Sequence, residues 1–425
     1  MLKEKKREEK KKKREMSNKI AERVKGLKGS GIREFFDVAE QMEGAISLGV
    51  GEPDFVTPWS IREACIFSLE KGYTSYTSNW GLLELREAIS ERTYRESGVF
   101  YDPEGEILVT TGVSEAFDLA LRAVVNPGDE VVLHEPSYVS YKPCTVFAGG
   151  TPVCVETRVE DEFKLRAEQL AERVTEKTKA VVLNYPNNPT GAALSRKELE
   201  EIAEVAEERD LVVISDEIYG SLTYGDNGDS GERGRGHTCF SSLNGMRERT
   251  VLLNGFSKAY AMTGWRIGYA AGNRELLEAM MKIHQYVMLC APITAQKAAL
   301  EALSPRCDCE TEKMVEEYNR RRRLMLAGLR EVGLECFEPK GAFYTFPSVE
   351  STGLSSEEFA KRLLLEEKVV VIPGSVFGAC GEGFVRCSYA VSQYEIKEAL
   401  ERIGRFLEGL ERGGRGLTGS EIERE

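Results

Sequence analysis

Residues 250–269 read TVLLNGFSKAYAMTGWRIGY, and this run guides the interpretation of the whole chain. It opens with an apolar segment, Thr250–Asn254, whose length and composition are typical of a buried β-strand. Lys258 follows that segment closely, and Arg266 comes shortly after. Because ligands of open α/β sheets bind beyond the carboxyl ends of the strands, both side chains are candidates for a binding site.

Apolar runs alternate with amphipathic stretches from about Phe100 onward, the pattern of an α/β fold with a largely parallel sheet. The predicted strands are Glu106–Thr111, Glu130–His134, Ala180–Asn184, Leu211–Ser215 and Thr250–Asn254. The predicted helices are Ser114–Val125, Arg196–Glu208 and Arg274–Leu303. Beyond Glu312 a smaller α+β domain is predicted, with a long charged helix, short strands and a last helix, at Phe343–Phe346, Val369–Ile372, Phe384–Ser388 and Tyr394–Leu407.

Three segments have little apolar content. Residues 1–15 are a run of charges and residues 411–425 are rich in glycine and charge, so both are predicted to be disordered tails. Residues 225–237 are also rich in glycine and charge, which favours a mobile surface loop.

The amino-acid composition argues against several classes of function. The net charge of -13 argues against a nucleic-acid-binding surface, since phosphates are held by excess Lys and Arg. No apolar run approaches the roughly 20 residues of a membrane span, and no secretory signal is recognisable, so a cytoplasmic location is expected. Ten cysteines without a CxxC pair and three histidines predict reduced thiols and no metal site. With so few histidines, lysine is the leading candidate for proton transfer.

Polar groups follow the other predicted strands as well. Gly112 to Ala116 open a helix after the first strand, and a helix N-terminus offers N–H groups to a phosphate. A turn from Tyr185 to Gly191 follows the third strand, and Asp216 and Tyr219 follow the fourth. Each feature alone is weak, because a lone lysine is usually solvated and an aspartate after a strand is more often a cap. Their recurrence at one end of successive strands favours a single cofactor site.

Several motifs resemble the class I aminotransferases of pyridoxal-5'-phosphate (PLP) fold type I. They are LGVGEPDFVTP (48–58), YTSNWGLLELREAI (76–89), NNPTG (187–191), SDEIY (215–219), SKAYAMTGWRIGY (257–269), GAFYTFP (341–347), PGSVFG (373–378) and FVRCSYA (384–390). The resemblance runs in order from about Ile32 to Phe406. It implies a large PLP-binding domain, residues 60–304, with a mixed, mostly parallel sheet between helices, and a small domain from residues 16–59 and 305–410.

The resemblance also assigns roles around the cofactor ring. Lys258 would hold PLP as a Schiff base and move the substrate proton, for which a lysine of lowered pKa is suited. Asp216 would pair with the pyridine nitrogen, while Asn188 and Tyr219 would hydrogen-bond the phenolic oxygen. Tyr138 would stack on the ring face.

Further roles concern the phosphate and the substrate. The phosphate would rest on the following groups: the amides of Val113, Ser114 and Glu115, the Ser257 hydroxyl, and Arg266. In relatives, the residue matching Tyr76 reaches the phosphate of the neighbouring subunit, which implies a homodimer. Arg386 would clamp the substrate α-carboxylate with two parallel hydrogen bonds, assisted by Asn188 and the backbone of Gly51.

The implied reaction moves an amino group between an L-amino acid and a 2-oxo acid, with glutamate and 2-oxoglutarate as one pair, by a ping-pong mechanism through pyridoxamine phosphate. Ser114 stands where some aspartate-using relatives carry lysine, so aspartate is not expected to be the best donor. Other segments are more similar to acetyl-diaminopimelate, aromatic and broad-specificity aminotransferases. Phe35, Trp80 and Tyr141 would either line an apolar side-chain pocket or be ordinary packing residues.

Two alternative functions remain on the same scaffold. One is another PLP reaction, either carbon–sulfur β-elimination or the cyclisation of aminocyclopropane carboxylate synthases. The other is a non-catalytic PLP-binding regulator, although the catalytic set is complete and no DNA-binding head is recognisable.

Overall fold

The computed structural model describes residues 19–27, 29, 31, 42–225 and 236–415. Its strands are β1 (Ile46–Ser47), β2 (Ile107–Thr110), β3 (Glu130–Glu135), β4 (Thr151–Glu156), β5 (Thr178–Leu183), β6 (Val212–Asp216), β7 (Thr250–Gly255), β8 (Gly268–Ala271), β9 (Tyr344–Thr345), β10 (Val369–Val370), β11 (Ile372–Pro373) and β12 (Val385–Ser388). Its α-helices are α1 (Glu22–Lys25), α2 (Trp59–Glu70), α3 (Leu83–Ser97), α4 (Val113–Val124), α5 (Tyr141–Phe147), α6 (Ala167–Arg173), α7 (Arg196–Glu208), α8 (Arg274–Val287), α9 (Ile293–Ala302), α10 (Pro305–Glu331), α11 (Ser356–Glu367) and α12 (Gln393–Arg415).

A seven-stranded sheet forms the centre of the molecule, in the order β2-β8-β7-β6-β5-β3-β4. Only β8 runs antiparallel to its neighbours, so the predicted mixed, mostly parallel α/β sheet is confirmed. The inner strands are rich in Val, Ile and Leu and are buried along nearly their whole length, as expected for a sheet with helices on both faces. The carboxyl ends of β5, β6 and β7 therefore lie side by side at one edge.

All five predicted strands of this sheet are present, but β4 and β8 were not predicted. The sequence of β8, GYAA, has none of the β-branched residues that mark a strand. Gly268 must be small because a Cβ there would lie 2.8 Å from the Val113 nitrogen, where α4 begins. Close packing, rather than strand propensity, therefore accounts for the glycine at the start of β8.

The predicted helix Arg274–Leu303 is wrong as a single element. It is divided into α8 and α9 by an irregular segment in which Leu289 has a left-handed φ of 71°. Pro292 precedes the first residue of α9, a position where its missing N–H has no cost. The Asn79 side chain donates a hydrogen bond of 2.7 Å to the Leu289 carbonyl oxygen, which holds the break in place.

Two small sheets complete the fold. One is antiparallel, in the order β11-β12-β9, and the other pairs β1 with β10 in parallel. The predicted strand Val369–Ile372 is thus divided between β10 and β11. Helices α10, α11 and α12 pack on these strands around Tyr318, Phe359 and Phe406. The division into domains stays a prediction.

The termini differ in part from expectation. Helix α12 continues to Arg415, so the predicted disordered tail at 411–425 is wrong for its first five residues, where Arg412 pairs with Glu408 at 3.0 Å. Residues 416–425, the charged segment 1–15 and most of the predicted loop 225–237 lie outside the described residues. No helix in the described ranges is long and apolar enough to cross a membrane.

Candidate active site

A cavity of about 980 Å³ opens at the carboxyl edge of the large sheet. All of the predicted site residues line it except Glu115 and Tyr76. Those lining it are Gly51, Val113, Ser114, Tyr138, Asn188, Asp216, Tyr219, Ser257, Lys258, Arg266 and Arg386. These residues come from many separate elements, and the strand ends bring them together.

Lys258 lies just beyond β7, and its side chain is partly buried in the cavity wall. Burial disfavours the charged form, and the nearby Arg386 cation adds to this, so the pKa of Lys258 is lowered to about 8. Its Nζ donates a hydrogen bond to the Gly51 carbonyl oxygen and lies 5.8 Å from the centre of the Tyr219 ring. A neutral amine is therefore accessible near neutral pH, as a nucleophile or a base requires.

Asp216 is the last residue of β6 and is also buried. Burial raises the pKa of this carboxyl to about 6, even though Tyr141 donates a 2.7 Å hydrogen bond to its Oδ2 and the Ile218 amide donates to Oδ1 at 3.2 Å. A buried carboxyl of this kind favours a cationic partner. The interpretation of Tyr141 as pocket lining or plain packing was therefore incomplete, because its hydroxyl orients Asp216.

Asn184 was not predicted as a site residue. It follows β5, and its side-chain amide donates to the Asp216 carbonyl oxygen at 3.0 Å while its Oδ1 accepts from the Asn188 amide at 3.1 Å. It therefore fixes the relative positions of two predicted site residues. An asparagine at the end of a predicted strand was the available signal.

The residues around the start of α4 are suited to bind an anion. Gly112 precedes the helix with a φ of 77°, and a Cβ there would lie only 2.9 Å from Arg266 Nη2. The guanidinium thus lies beside Gly112, next to the N-terminus of α4, and Ser114 and Ser257 line the same cavity. Arg266 itself has a left-handed φ of 52° and donates from Nη1 to the Thr263 carbonyl oxygen at 3.1 Å.

Glu115 differs from the prediction. Its amide donates to the Gly112 carbonyl oxygen at 3.2 Å, and its side chain points away from the cavity. The carboxylate accepts from the Thr111 amide and lies 2.7 Å from Nδ1 of the buried His284 on α8. Glu115 therefore ties the start of α4 to α8 and has no free amide for a phosphate.

Arg386 on β12 is 2% exposed. Its Nη1 donates to Asn188 Oδ1 at 2.8 Å and its Nη2 to the Gly49 carbonyl oxygen at 2.7 Å, while its buried Nε has no hydrogen-bond partner among the described residues. The guanidinium lies 4.6 Å from the centre of the Tyr344 ring and 4.9 Å from that of Phe377. Held between two rings, it is a preorganised site for a carboxylate.

The remaining predicted residues lie in different positions relative to the cavity. Tyr138 lines the cavity beside Tyr141, with the two ring centres 5.6 Å apart. Tyr76 is 82% exposed and lies outside the cavity. Trp80 packs against the core cluster that contains α4 and does not line the cavity, whereas Phe35 lies outside the described residues. No group of three or more metal-binding side chains occurs in the described part of the chain.

Comparison with known proteins agrees with this geometry. The family described as Aminotransferase class I and II matches residues 43–403. A putative aminotransferase of Bacillus subtilis, YugH, is 53% identical over 92% of this chain and 99% of its own length, and an aspartate aminotransferase of Pyrococcus abyssi is 46% identical over 91% and 98%. The crystal structure of an aromatic aminotransferase from Pyrococcus horikoshii has 45% identity and a TM-score of 0.83, covering 89% of this chain and 99% of that one.

The chain belongs to the class I and II aminotransferase family, with the PLP-dependent fold type I. Its cofactor is pyridoxal 5'-phosphate. The residues present fit this group in three respects: an arginine beside a helix N-terminus for the phosphate, a buried carboxyl for the ring nitrogen, and an amine of lowered pKa for the aldehyde.

Asp216→Asn is expected to stabilise the cofactor-free protein at neutral pH. The unfolded chain releases this proton near pH 3.8 and the folded protein near pH 6, so the folded state binds more protons between these values and loses stability as pH rises. Above pH 6 this loss amounts to roughly 3 kcal/mol of unfolding free energy. Urea denaturation of cofactor-free Asp216→Asn should show a larger free energy of unfolding than the wild type at pH 7.5, and little difference at pH 4.

The surface substitution Asp118→Asn is the control and should show no such pH-dependent gain. A cofactor-free Asp216→Asn protein less stable than the wild type at pH 7.5 would contradict the assignment of a desolvated carboxyl at this position.

Proposed function

We propose that this aminotransferase moves an amino group between an L-amino acid and a 2-oxo acid in two half-reactions of ping-pong type, with glutamate and 2-oxoglutarate as one pair. The observation that carries the proposal is a single cavity faced by Lys258, Asp216 and Arg386. An amine, a ring-nitrogen partner and a carboxylate clamp are the three groups this reaction needs at one place.

Lys258 is the proposed proton carrier. When bound, PLP would supply the electron sink that makes the proton on the substrate Cα removable. The Lys258 amine, whose pKa near 8 leaves about a tenth of the molecules neutral at pH 7, would take the proton at Cα and return it on the cofactor side.

Asp216 is proposed to hold the ring nitrogen in its protonated form. A cation beside the buried carboxyl favours its ionised state, and the Tyr141 hydroxyl keeps Oδ2 oriented. Asn188 and Tyr219 are proposed to hydrogen-bond the phenolic oxygen, and Tyr138 to stack on the ring. Val113, Ser114, Ser257 and Arg266 are proposed to hold the phosphate.

Arg386 is proposed to bind the substrate α-carboxylate. Its two terminal nitrogens are already oriented by Asn188 and Gly49, and its Nε is free to donate. A second contribution is proposed from the Gly51 backbone N–H, while the carbonyl oxygen of the same residue accepts from Lys258. This arrangement sets the substrate Cα close to the lysine amine.

A homodimer is proposed as the active form, with Tyr76 completing the neighbouring site. Its support is the high exposure of Tyr76 and of an apolar run at the end of α8, from Tyr286 to Leu289. Burial of such an exposed apolar surface against a second subunit is favourable. Sedimentation equilibrium of the holoenzyme at the mass of one chain would contradict the dimer.

The preferred amino donors are proposed to have aromatic or other uncharged side chains. Among the described residues that line the cavity, the only cations are Lys258, Arg266 and Arg386, and each has a proposed role at the cofactor or the α-carboxylate. Glu52 adds a carboxylate to the lining. The apolar lining includes Leu27, Val139, Pro143, Phe147 and Val376.

A panel of amino donors tests this proposal. The holoenzyme is mixed with Phe, Tyr, Ala, branched donors or Asp, and an accepted donor should bleach its visible absorbance. We expect kcat/KM to be at least about tenfold higher for the best uncharged donor than for Asp, which corresponds to about 1.4 kcal/mol of activation free energy. A strong preference for Asp would contradict the proposed donor class. Release of pyruvate and ammonia from cystathionine without a 2-oxo acid would instead identify a β-lyase.

A further inference from the structure

Tyr344 was not among the predicted site residues, yet it contacts several of them. It lies on β9 in the sequence GAFYTFP, is fully buried, and lines the cavity. Its Oη lies 2.8 Å from the Tyr219 Oη. Its ring lies 4.6 Å from the Arg386 guanidinium carbon. It therefore contacts both the proposed partner of the cofactor phenolic oxygen and the proposed carboxylate clamp.

The backbone holds Tyr344 in this position. It pairs with Ser388 on β12, the same strand that carries Arg386, so the ring and the guanidinium are fixed by one antiparallel ladder. A Cβ on Gly51 would lie 2.8 Å from the Tyr344 Oη, so the hydroxyl fills the space beside this glycine. The hydroxyl therefore lies between Gly51 and the Tyr219 hydroxyl.

The two hydroxyl protons determine which tyrosine donates the hydrogen bond and which accepts it. Each tyrosine has one O–H, and if Tyr219 donates its proton to the cofactor phenolic oxygen, its Oη can only accept from Tyr344. Tyr344 then donates to Tyr219 at 2.8 Å. Hydrogen bonds in such a chain polarise one another, so this donation makes Tyr219 a stronger donor.

We infer that Tyr344 is a positioning residue that acts at both ends of the site, strengthening the Tyr219 hydrogen bond through its hydroxyl and holding Arg386 in place through its ring. The inference rests on the proposed function, in which Tyr219 faces the phenolic oxygen and Arg386 the α-carboxylate. The two parts of the side chain have separable effects, because phenylalanine keeps the ring and removes only the hydroxyl.

The hydroxyl is tested by Tyr344→Phe in the holoenzyme, followed by a pH titration of the visible absorbance. A weaker hydrogen bond from Tyr219 leaves more negative charge on the phenolic oxygen of the cofactor. This charge holds the proton of the chromophore more strongly, so the midpoint of the absorbance titration should rise by about half a pH unit. KM for the amino donor should stay within about twofold, since the ring on Arg386 is retained. Tyr389→Phe is the matched control and should leave the midpoint unchanged, because that buried hydroxyl bonds to the Ala342 carbonyl oxygen at 3.2 Å and does not line the cavity.

The ring is tested by Tyr344→Leu, which should also raise KM by roughly tenfold, as loss of a desolvated cation–π contact implies. Gly51→Ala perturbs the hydroxyl from a different position and should shift the midpoint in the same direction, which keeps the test decisive if Tyr344→Phe does not fold. An unchanged midpoint in the folded Tyr344 variants, or in Gly51→Ala if they do not fold, overturns the hydroxyl role. An unchanged KM in Tyr344→Leu overturns the ring role.

Tyr219→Phe separates this inference from the proposed function. It should shift the midpoint by more than Tyr344→Phe, and the double variant should match Tyr219→Phe alone, because the Tyr344 hydroxyl acts through Tyr219. If Tyr219→Phe leaves the midpoint unchanged, the proposed role of Tyr219 fails. If Tyr219→Phe shifts it and Tyr344→Phe does not, only the inference about Tyr344 fails.

Discussion

Lys258→Ala is expected to lower kcat by about 10⁴-fold or more, because it removes the amine that both holds the cofactor and transfers the proton. No other lysine lines the cavity among the described residues, so none is placed to replace it. The protein should still fold, since a buried ammonium of lowered pKa contributes little to stability. Steady-state transamination with the best donor measures the effect.

Lys164→Ala serves as the control for this substitution. Lys164 is paired with Glu162 at 2.8 Å and Glu198 at 3.2 Å, and it does not line the cavity. Its removal should leave kcat within about twofold, as for a surface ion pair. Substantial turnover by Lys258→Ala would show that another group transfers the proton.

Arg386→Lys is expected to raise KM for amino donors by roughly 100-fold, with a smaller effect on kcat. The planar fork makes parallel hydrogen bonds to a carboxylate, and a lysine ammonium cannot reproduce them or stack between Tyr344 and Phe377. Loss of roughly 3 kcal/mol of charge-assisted hydrogen bonding corresponds to this change. Because the α-carboxylate is bound before and during the reaction, the loss falls mainly on KM.

Arg322→Lys is a matched control, since Arg322 is also a buried guanidinium. It pairs with Glu338 at 2.6 Å and lies over the Tyr224 ring, away from the cavity. Its substitution should leave KM nearly unchanged. Equal KM values for Arg386→Lys and the wild type would remove Arg386 from the proposed carboxylate site.

The sheet and the edge that bears the site could be predicted from the sequence because both depend on local patterns. Buried parallel strands are continuous apolar runs, and the residues just after them, Asp216 and Lys258 among others, must lie at one edge. Strand β8 gave no such signal, because it has no β-branched residue and its glycine, Gly268, is required by the approach of α4. The break between α8 and α9 was marked only by Pro292, within an otherwise continuous helical pattern.

The supporting residues of the site were harder to predict because their contacts join distant parts of the chain. Tyr141 reaches Asp216, and Tyr344 reaches Tyr219 and Arg386, through contacts that no local spacing encodes. Glu115 was predicted at the phosphate because it begins a helix after a strand. Its pairing with His284 on α8 could be found only from the packing of two helices.

Borohydride reduction of the holoenzyme, followed by peptide mass mapping, tests whether Lys258 carries the cofactor. Reduction makes the bond between lysine and cofactor permanent, so we expect one modified peptide, with the added mass of the reduced cofactor on Lys258. A modification on a different lysine, or a cofactor that washes away without modifying the chain, would contradict this role of Lys258.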